Sequence, residues 1–290
     1  MKKSRKLATL GICSILILGL AACQQQHATS EGTNQRQTSS SKVPWKASYT
    51  NLNNQVSTEE VKSLLSANLD PNSVNAFFNL VNDYNTIVGS TGLSGDFTSF
   101  THTEYDVEQI SHLWNQKKGD FVGTNCRINS YCLLKNSVTI PKLEKNDQLL
   151  FLDNDAIDKG KVFDAKDKEE FDILFSRVPT EATTDVKVHA EKMEKFFSQF
   201  QFNDKARMLS VVLHDNLDGE FLFVGHVGVL VPADDGFLFV EKLTFEEPYQ
   251  AIKFASKEDC YKYLGTKYAD YTGDGLAKPF IMDNDKWVNL

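Results

Sequence analysis

Apolar residues recur first at a helical spacing and later at a strand spacing, and the character changes near Ala206. In the first part, Ser57 or Thr58 is placed to cap a helix over 59–67. Asp70 followed by Pro71 opens Pro71–Val88, with Phe77, Phe78, Leu80, Val81 and Tyr84 as its stripe and Gly89 as its stop. The Gly/Ser/Thr-rich stretch 90–102 reads as a loop able to cover a site. Asp106 starts a helix through Trp114 to about Lys118, ended by Gly119, and a further helix runs from about Cys126 to Asn136. Over 184–200, Val188, Met193, Phe196, Phe197 and Phe200 form a packing stripe. Residues 139–179 are less regular: 149–152 is apolar, 167–175 is helix-like, and Asp153, Asp155 and Asp158 between them read as solvated turns. Ile157 occupies a ligand position of the EF-hand pattern, which argues against a calcium loop. The second part carries β-rich runs at 208–213, 220–231, 236–243 and 250–254, separated by turn residues, as in an antiparallel meander. Ser256 caps a last helix through Tyr268, and 280–282 is placed as an edge strand. Helices first and a sheet second predict an α+β fold, with 47–290 as a single domain.

One junction in this pattern carries chemistry. In Gly123-Thr124-Asn125-Cys126-Arg127, either Thr124 or Asn125 is an N-cap, which puts Cys126 in the first turn of a helix. The unpaired N–H groups and the dipole there favour an anion, and Arg127 adds a positive charge. Both effects lower a thiol pKa, and the thiolate is the nucleophile. A buried, inert cysteine is the competing expectation. A base is available at His226, inside the apolar run 224–230 and flanked by Gly225 and Gly228, which suit a close approach by a helix end or a substrate. If Ala233 and Asp234 form a two-residue hairpin loop, His226 faces Glu241 directly, whereas a loop one residue longer brings Lys242 opposite. His214 is the rival base, and its turn position predicts exposure.

The N-terminus changes the setting. Lys2, Lys3, Arg5 and Lys6 precede an apolar 7–20 segment of signal-peptide length, and Leu20-Ala21-Ala22-Cys23 matches a bacterial lipobox. Residues 1–22 therefore read as a lipoprotein signal peptide cleaved before Cys23, which carries the lipid. Residues 23–46, rich in Gln, Ser and Thr, read as a disordered tether holding the domain at the extracellular face of a bacterial membrane. Removing the four basic leader residues from the 31 leaves 27 Lys+Arg against 39 Asp+Glu, a net of −12. That balance disfavours binding to nucleic acid. Beyond Cys13 and Cys23 three cysteines remain, Cys126, Cys132 and Cys260, an odd number that leaves a free thiol unless one bridges to another chain. No spacing fits a zinc site, and nothing calls for a cofactor.

A cysteine at a helix N-terminus, a His-Val-Gly strand and a carboxylate on the next strand resemble the NlpC-type group of papain-like peptidases and amidases. That resemblance implies a Cys-bearing helix packed on a C-terminal antiparallel sheet. It also implies amide hydrolysis, typically in peptidoglycan stem peptides, by Cys126 as nucleophile, His226 as base and Glu241 as orienter. Thr124-Asn125-Cys126-Arg127-Ile128-Asn129, His226-Val227-Gly228-Val229-Leu230 and the stretch 239–251 are similar to a Gram-positive lipoprotein family catalogued only as a domain of unknown function. This second resemblance covers most of the mature chain and implies a location and a domain outline, with no activity. The chain departs from papain-like enzymes where they often carry an oxyanion glutamine shortly before the cysteine. Asp120 stands six residues upstream here, and the nearest glutamine is Gln116. NlpC-type sites also commonly place an acidic residue just before the cysteine, where this chain has Asn125. The oxyanion donors expected are the Cys126 N–H with Asn125 or Gln116, and Arg127 is a candidate for a substrate carboxylate. The leading expectation is a surface-anchored cysteine hydrolase. The alternative is a non-enzymatic lipoprotein that binds a ligand or partner on an inactive papain-like fold, in keeping with 20 Phe and 9 Tyr.

Overall fold

Capping residues decide where the helices begin. The computed structural model describes residues 46–100 and 103–290, all within one compact unit. Helix α1 (Gln55–Asn68) is capped by Asn54, whose side chain accepts from the Ser57 N–H. It therefore starts earlier than a cap at Ser57 or Thr58 implies, and Ser57 is buried in its first turn. Asp70 and Pro71 open α2 (Pro71–Val88) and Asp106 caps α3 (Val107–Lys118), as the local signals predict. Gly119 closes α3 at a φ of 64°, in the left-handed region that glycine tolerates. Asn125 caps α4 (Cys126–Leu134), which is buried at Cys126 and throughout Ile128–Leu134. A helix buried on nearly every side belongs in a core, and its polar Asn129 and Ser130 are hydrogen-bonded there.

The acidic stretch is not a set of turns. Asp153, Asp155 and Asp158 all lie on α5 (Phe151–Gly160), followed by α6 (Ala165–Leu174). Ala156 and Ile157 bury one side of α5, and Asp153 is buried with them because Arg127 reaches it. In α7 (Val186–Phe197), Met193 and Phe197 are buried, as is Phe200 just beyond it, while Val188 and Phe196 are half-buried.

The strands β6 (Arg207–Asp215), β7 (Phe221–Ala233), β8 (Gly236–Lys242) and β9 (Tyr249–Phe254) form the expected antiparallel meander. It extends on one side through β10 (Phe280–Asp283) to β11 (Lys286–Val288), and on the other through β1 (Ala47–Thr50) to β2 (Thr98–Ser99). β4 (Val178–Pro179) pairs with β7, making nine strands, while β3 (Val138–Thr139) and β5 (Gln201–Phe202) pair in a separate two-stranded sheet. The stretch 280–282 is thus not an edge strand: β10 lies between β6 and β11. Alternate residues divide between two cores. Val227, Val229 and Val231 join the larger one, with α1, α2, α4 and α7. Leu209, Leu230 and Phe239 join the smaller one, under α8 (Lys257–Lys267). The cysteine helix thus packs on one face of the sheet and α8 on the other.

Candidate active site

The N-terminus of α4 is tied to β7 on both sides of His226. Arg127 Nη1 donates to the Val224 carbonyl at 2.9 Å, and Ser130 Oγ donates to the Val227 carbonyl at 3.2 Å. Arg127 is held in turn by Asp153, with Nε on Oδ1 at 2.9 Å and Nη2 on Oδ2 at 2.7 Å. Asn125 Nδ2 donates to the same carboxylate at 2.8 Å, while its Oδ1 accepts from Ile128 N–H at 3.1 Å as the cap. Asn129 donates to the Thr124 hydroxyl at 2.9 Å and to the Asn125 carbonyl at 2.8 Å. The start of the helix is therefore clamped, and Cys126 is its first residue.

His226 Nε2 lies 2.5 Å from Glu241 Oε2. The route to this contact differs from a direct cross-strand pair. The hairpin loop is Asp234–Asp235, with Ala233 opposite Gly236 and Val229 opposite Val240. Continuing that register sets Gly228, not His226, across from Glu241, so the imidazole meets the carboxylate diagonally, within reach of long side chains on one face. Gly228 is required for a different approach from the one its sequence suggests. A Cβ there would lie 2.3 Å from Phe239 Cζ and 2.8 Å from the Val240 carbonyl. Gly225, at the β-bulge opposite Val211 and Val212, is crowded by Leu213. Neighbouring strands, rather than a helix end or a substrate, press on both glycines.

The other ring nitrogen of His226, Nδ1, makes no closed hydrogen bond. Cys126 interacts with the imidazole, and with Nε2 taken by Glu241, Nδ1 is the nitrogen left for it. Burial alone would push the Cys126 thiol up; the His226 charge and contact, with Arg127, outweigh it and bring the thiol below its ordinary value, against opposition from Asp153. Burial likewise opposes a charged His226, and Cys126 and then Glu241 overcome it and raise its pKa. The two shifts run in the directions that a thiolate–imidazolium pair requires. Cys132 and Cys260 are free and buried too, but burial pushes Cys132 up to about 12 and Cys260 well above its ordinary value. Glu241 stays ionised despite burial: Lys267, His226 and Tyr263 bring it down to about 2. Tyr263 Oη donates to Glu241 Oε1 at 2.5 Å, and Lys267 Nζ stands 3.6 Å from the same oxygen. Tyr268 stacks on the His226 ring with centroids 4.9 Å apart.

The family model described as "Domain of unknown function (DUF4300)" matches residues 48–288. The chain belongs to the DUF4300 family. No curated protein and no solved structure matches it. The matched span holds Cys126, His226 and Glu241, whereas Cys23 and the leader lie outside it and outside the described residues.

Within the DUF4300 domain the remaining candidates fall elsewhere. Gln116 is exposed on α3 with its Nε2 2.9 Å from His112 Nε2, so it is no oxyanion donor to the buried thiol in this conformation. The Asn125 amide is occupied by Ile128 and Asp153, and the Arg127 guanidinium by Asp153 and Val224, so neither is poised for substrate. Of the expected oxyanion donors, the Cys126 backbone N–H remains, a first-turn group with no helical acceptor. His214 is buried, not exposed: Nε2 is 2.7 Å from Glu220, and Nδ1 accepts from the Ala277 N–H at 3.1 Å. Lys242 points to the opposite face from Glu241, where its Nζ donates to the carbonyls of Thr244, Phe245 and Glu247. Burial draws it down to about 7. Among the described residues no group of three His, Cys, Asp or Glu side chains could hold a metal. Asp153, Tyr263, Lys267 and Tyr268 went unpredicted; for the last three the only sequence signal is their spacing of four and one on a helix following the meander.

Proposed function

We propose that this protein is a membrane-anchored surface lipoprotein whose domain is a papain-like cysteine hydrolase for an amide or peptide bond, with cell-wall peptides as the substrate class. The observation that carries the proposal is the chain Cys126–His226–Glu241, in which Cys126 is the only described cysteine shifted toward the thiolate. The Cys126 thiolate attacks the carbonyl carbon, and the Cys126 N–H faces the developing oxyanion. The His226 imidazolium gives its proton to the leaving amine, leaving a thioester on Cys126. Neutral His226 then takes a proton from water, whose oxygen attacks the thioester and releases the acid. Glu241 acts through His226, holding the ring and its charge. Membrane attachment rests on the Leu20-Ala21-Ala22-Cys23 lipobox.

Cys126 is only 2% exposed, so substrate reaches it when its cover moves. That burial is also the observation favouring the alternative, a non-enzymatic binding lipoprotein on the same fold. Alkylation by iodoacetamide between pH 5 and 9, with Cys126→Ala as control, separates the two. A hydrolase labels at Cys126 below pH 7 and releases peptide from purified cell wall only with Cys126 present. A thiol inert across that range, with no Cys126-dependent release, rejects the hydrolase.

A further inference from the structure

A cavity of about 170 Å³ lies beside the loop that leads into Cys126, between Tyr84 of α2, residues 110–115 of α3, Val122 and Phe245–Glu246. It exceeds the roughly 150 Å³ void that accepts benzene in an engineered core, so it holds one substantial side chain. Val122 lines it four residues before Cys126, a stretch spanning at most about 14 Å. Between them, a Cβ on Gly123 would lie 3.2 Å from Trp114 Cζ2 and 3.5 Å from the Phe245 carbonyl, so the loop runs along the cavity wall. A substrate bound at the thiol has this cavity within reach of its neighbouring residues.

Tyr84, Ile110, Trp114, Val122 and Phe245 give the cavity its apolar wall, Ser111 and Asn115 add polar groups to it, and Glu246 is the charged residue of the lining. The Glu246 carboxylate takes a hydrogen bond from Thr244 Oγ1 at 3.3 Å and makes no ion pair among the described residues. The nearby cations are already engaged. Lys118, above the Trp114 ring, is paired with Asp83 at 2.7 Å. Lys242 sits over the Tyr84 ring with its ammonium directed at three backbone carbonyls. Asp106 and Glu108 line a second concavity on α3, the helix that supplies Ile110 and Trp114. We propose that this cavity is the subsite for a substrate side chain that is apolar along its length and cationic at its end, of the lysine type, with Glu246 as its specificity-determining residue. The proposal rests on the hydrolase reading for its place in a reaction, but the binding it asserts is testable without the thiol.

In the first arm, Cys126→Ala protein is titrated with the Nα-acetyl amides of lysine, norleucine and glutamate, by calorimetry and by Trp114 emission with Trp114→Phe as control. The lysine amide should bind at least about tenfold more tightly than the glutamate amide, the equivalent of about 1.4 kcal/mol. Glu246→Gln should erase that preference and Glu246→Lys reverse it. Equal binding of the three amides, no binding, or a preference untouched by Glu246 overturns the subsite. In the second arm, wild-type protein meets dipeptidyl vinyl sulfones bearing the same three side chains, read as adducts on Cys126 by intact mass. Lysine-selective binding without any adduct keeps the subsite and rejects the hydrolase. Adducts formed at equal rates with all three reject the subsite and keep the hydrolase.

Discussion

Asp153→Ala separates a residue that places the thiol from one that merely charges it. The Asp153 carboxylate is fully buried and accepts from Arg127 Nε, Arg127 Nη2 and Asn125 Nδ2. Its removal takes that acceptor from three donors at the start of α4. Breaking a buried pair by deleting one partner costs about 3–5 kcal/mol. The Arg127 side chain is 15% exposed, so water relieves part of the loss, and about 3 kcal/mol is the expected destabilisation in urea unfolding. The second readout is the pH profile of Cys126 alkylation. Electrostatics alone predicts a shift to lower pH, because the Asp153 charge opposes the thiolate. Positioning predicts the reverse, because the clamp through Arg127 to the Val224 carbonyl holds Cys126 against His226. The expected outcome is a shift to higher pH, with Asp153→Asn, which keeps one acceptor oxygen, in between. A loss of stability below about 1 kcal/mol, or a profile moving to lower pH, refutes the clamp.

Three further outcomes follow from the same geometry. The folded-state pKa of Glu241, about 2 against an ordinary 4.5, is depressed, so its stabilisation is present above pH 4.5 and lost as pH falls toward 2. The shift corresponds to roughly 3 kcal/mol, and urea unfolding of Glu241→Gln across that window should lack this part of the acid sensitivity, while its Cys126 labelling below pH 7 falls. Gly228→Ala should lower stability by about 2 kcal/mol or more, because the new Cβ meets a ring atom at 2.3 Å and a backbone oxygen at 2.8 Å; a neutral result in the same assay means that β7 and β8 yield there. Cys23→Ala should abolish lipidation and leave an uncleaved precursor or released protein, and mature-size protein still fractionating with membranes would show the anchor assignment to be wrong.

What the sequence by itself determined is what short-range rules govern. A cap at Thr124 or Asn125, Cys126 in a first turn, Asp70-Pro71 and Asp106 as helix starts, and the four-strand meander depend on residues within a few positions of one another. So the elements bearing Cys126, His226 and Glu241 were legible, as was their order. Tertiary structure decided how those elements meet. The hairpin turned at Asp234–Asp235 and moved the register, so the His226–Glu241 contact is diagonal. Asp153 reads as one acidic residue among 39 Asp and Glu until α5 docks and Arg127 selects it. Tyr263 and Lys267 approach Glu241 from a helix on the opposite face of the sheet from α4. Periodicity reports which side of an element is buried, but not which partner is buried against it. A buried charge is stable only where packing brings its counter-charge, and that choice is made across distances in sequence that no local pattern records.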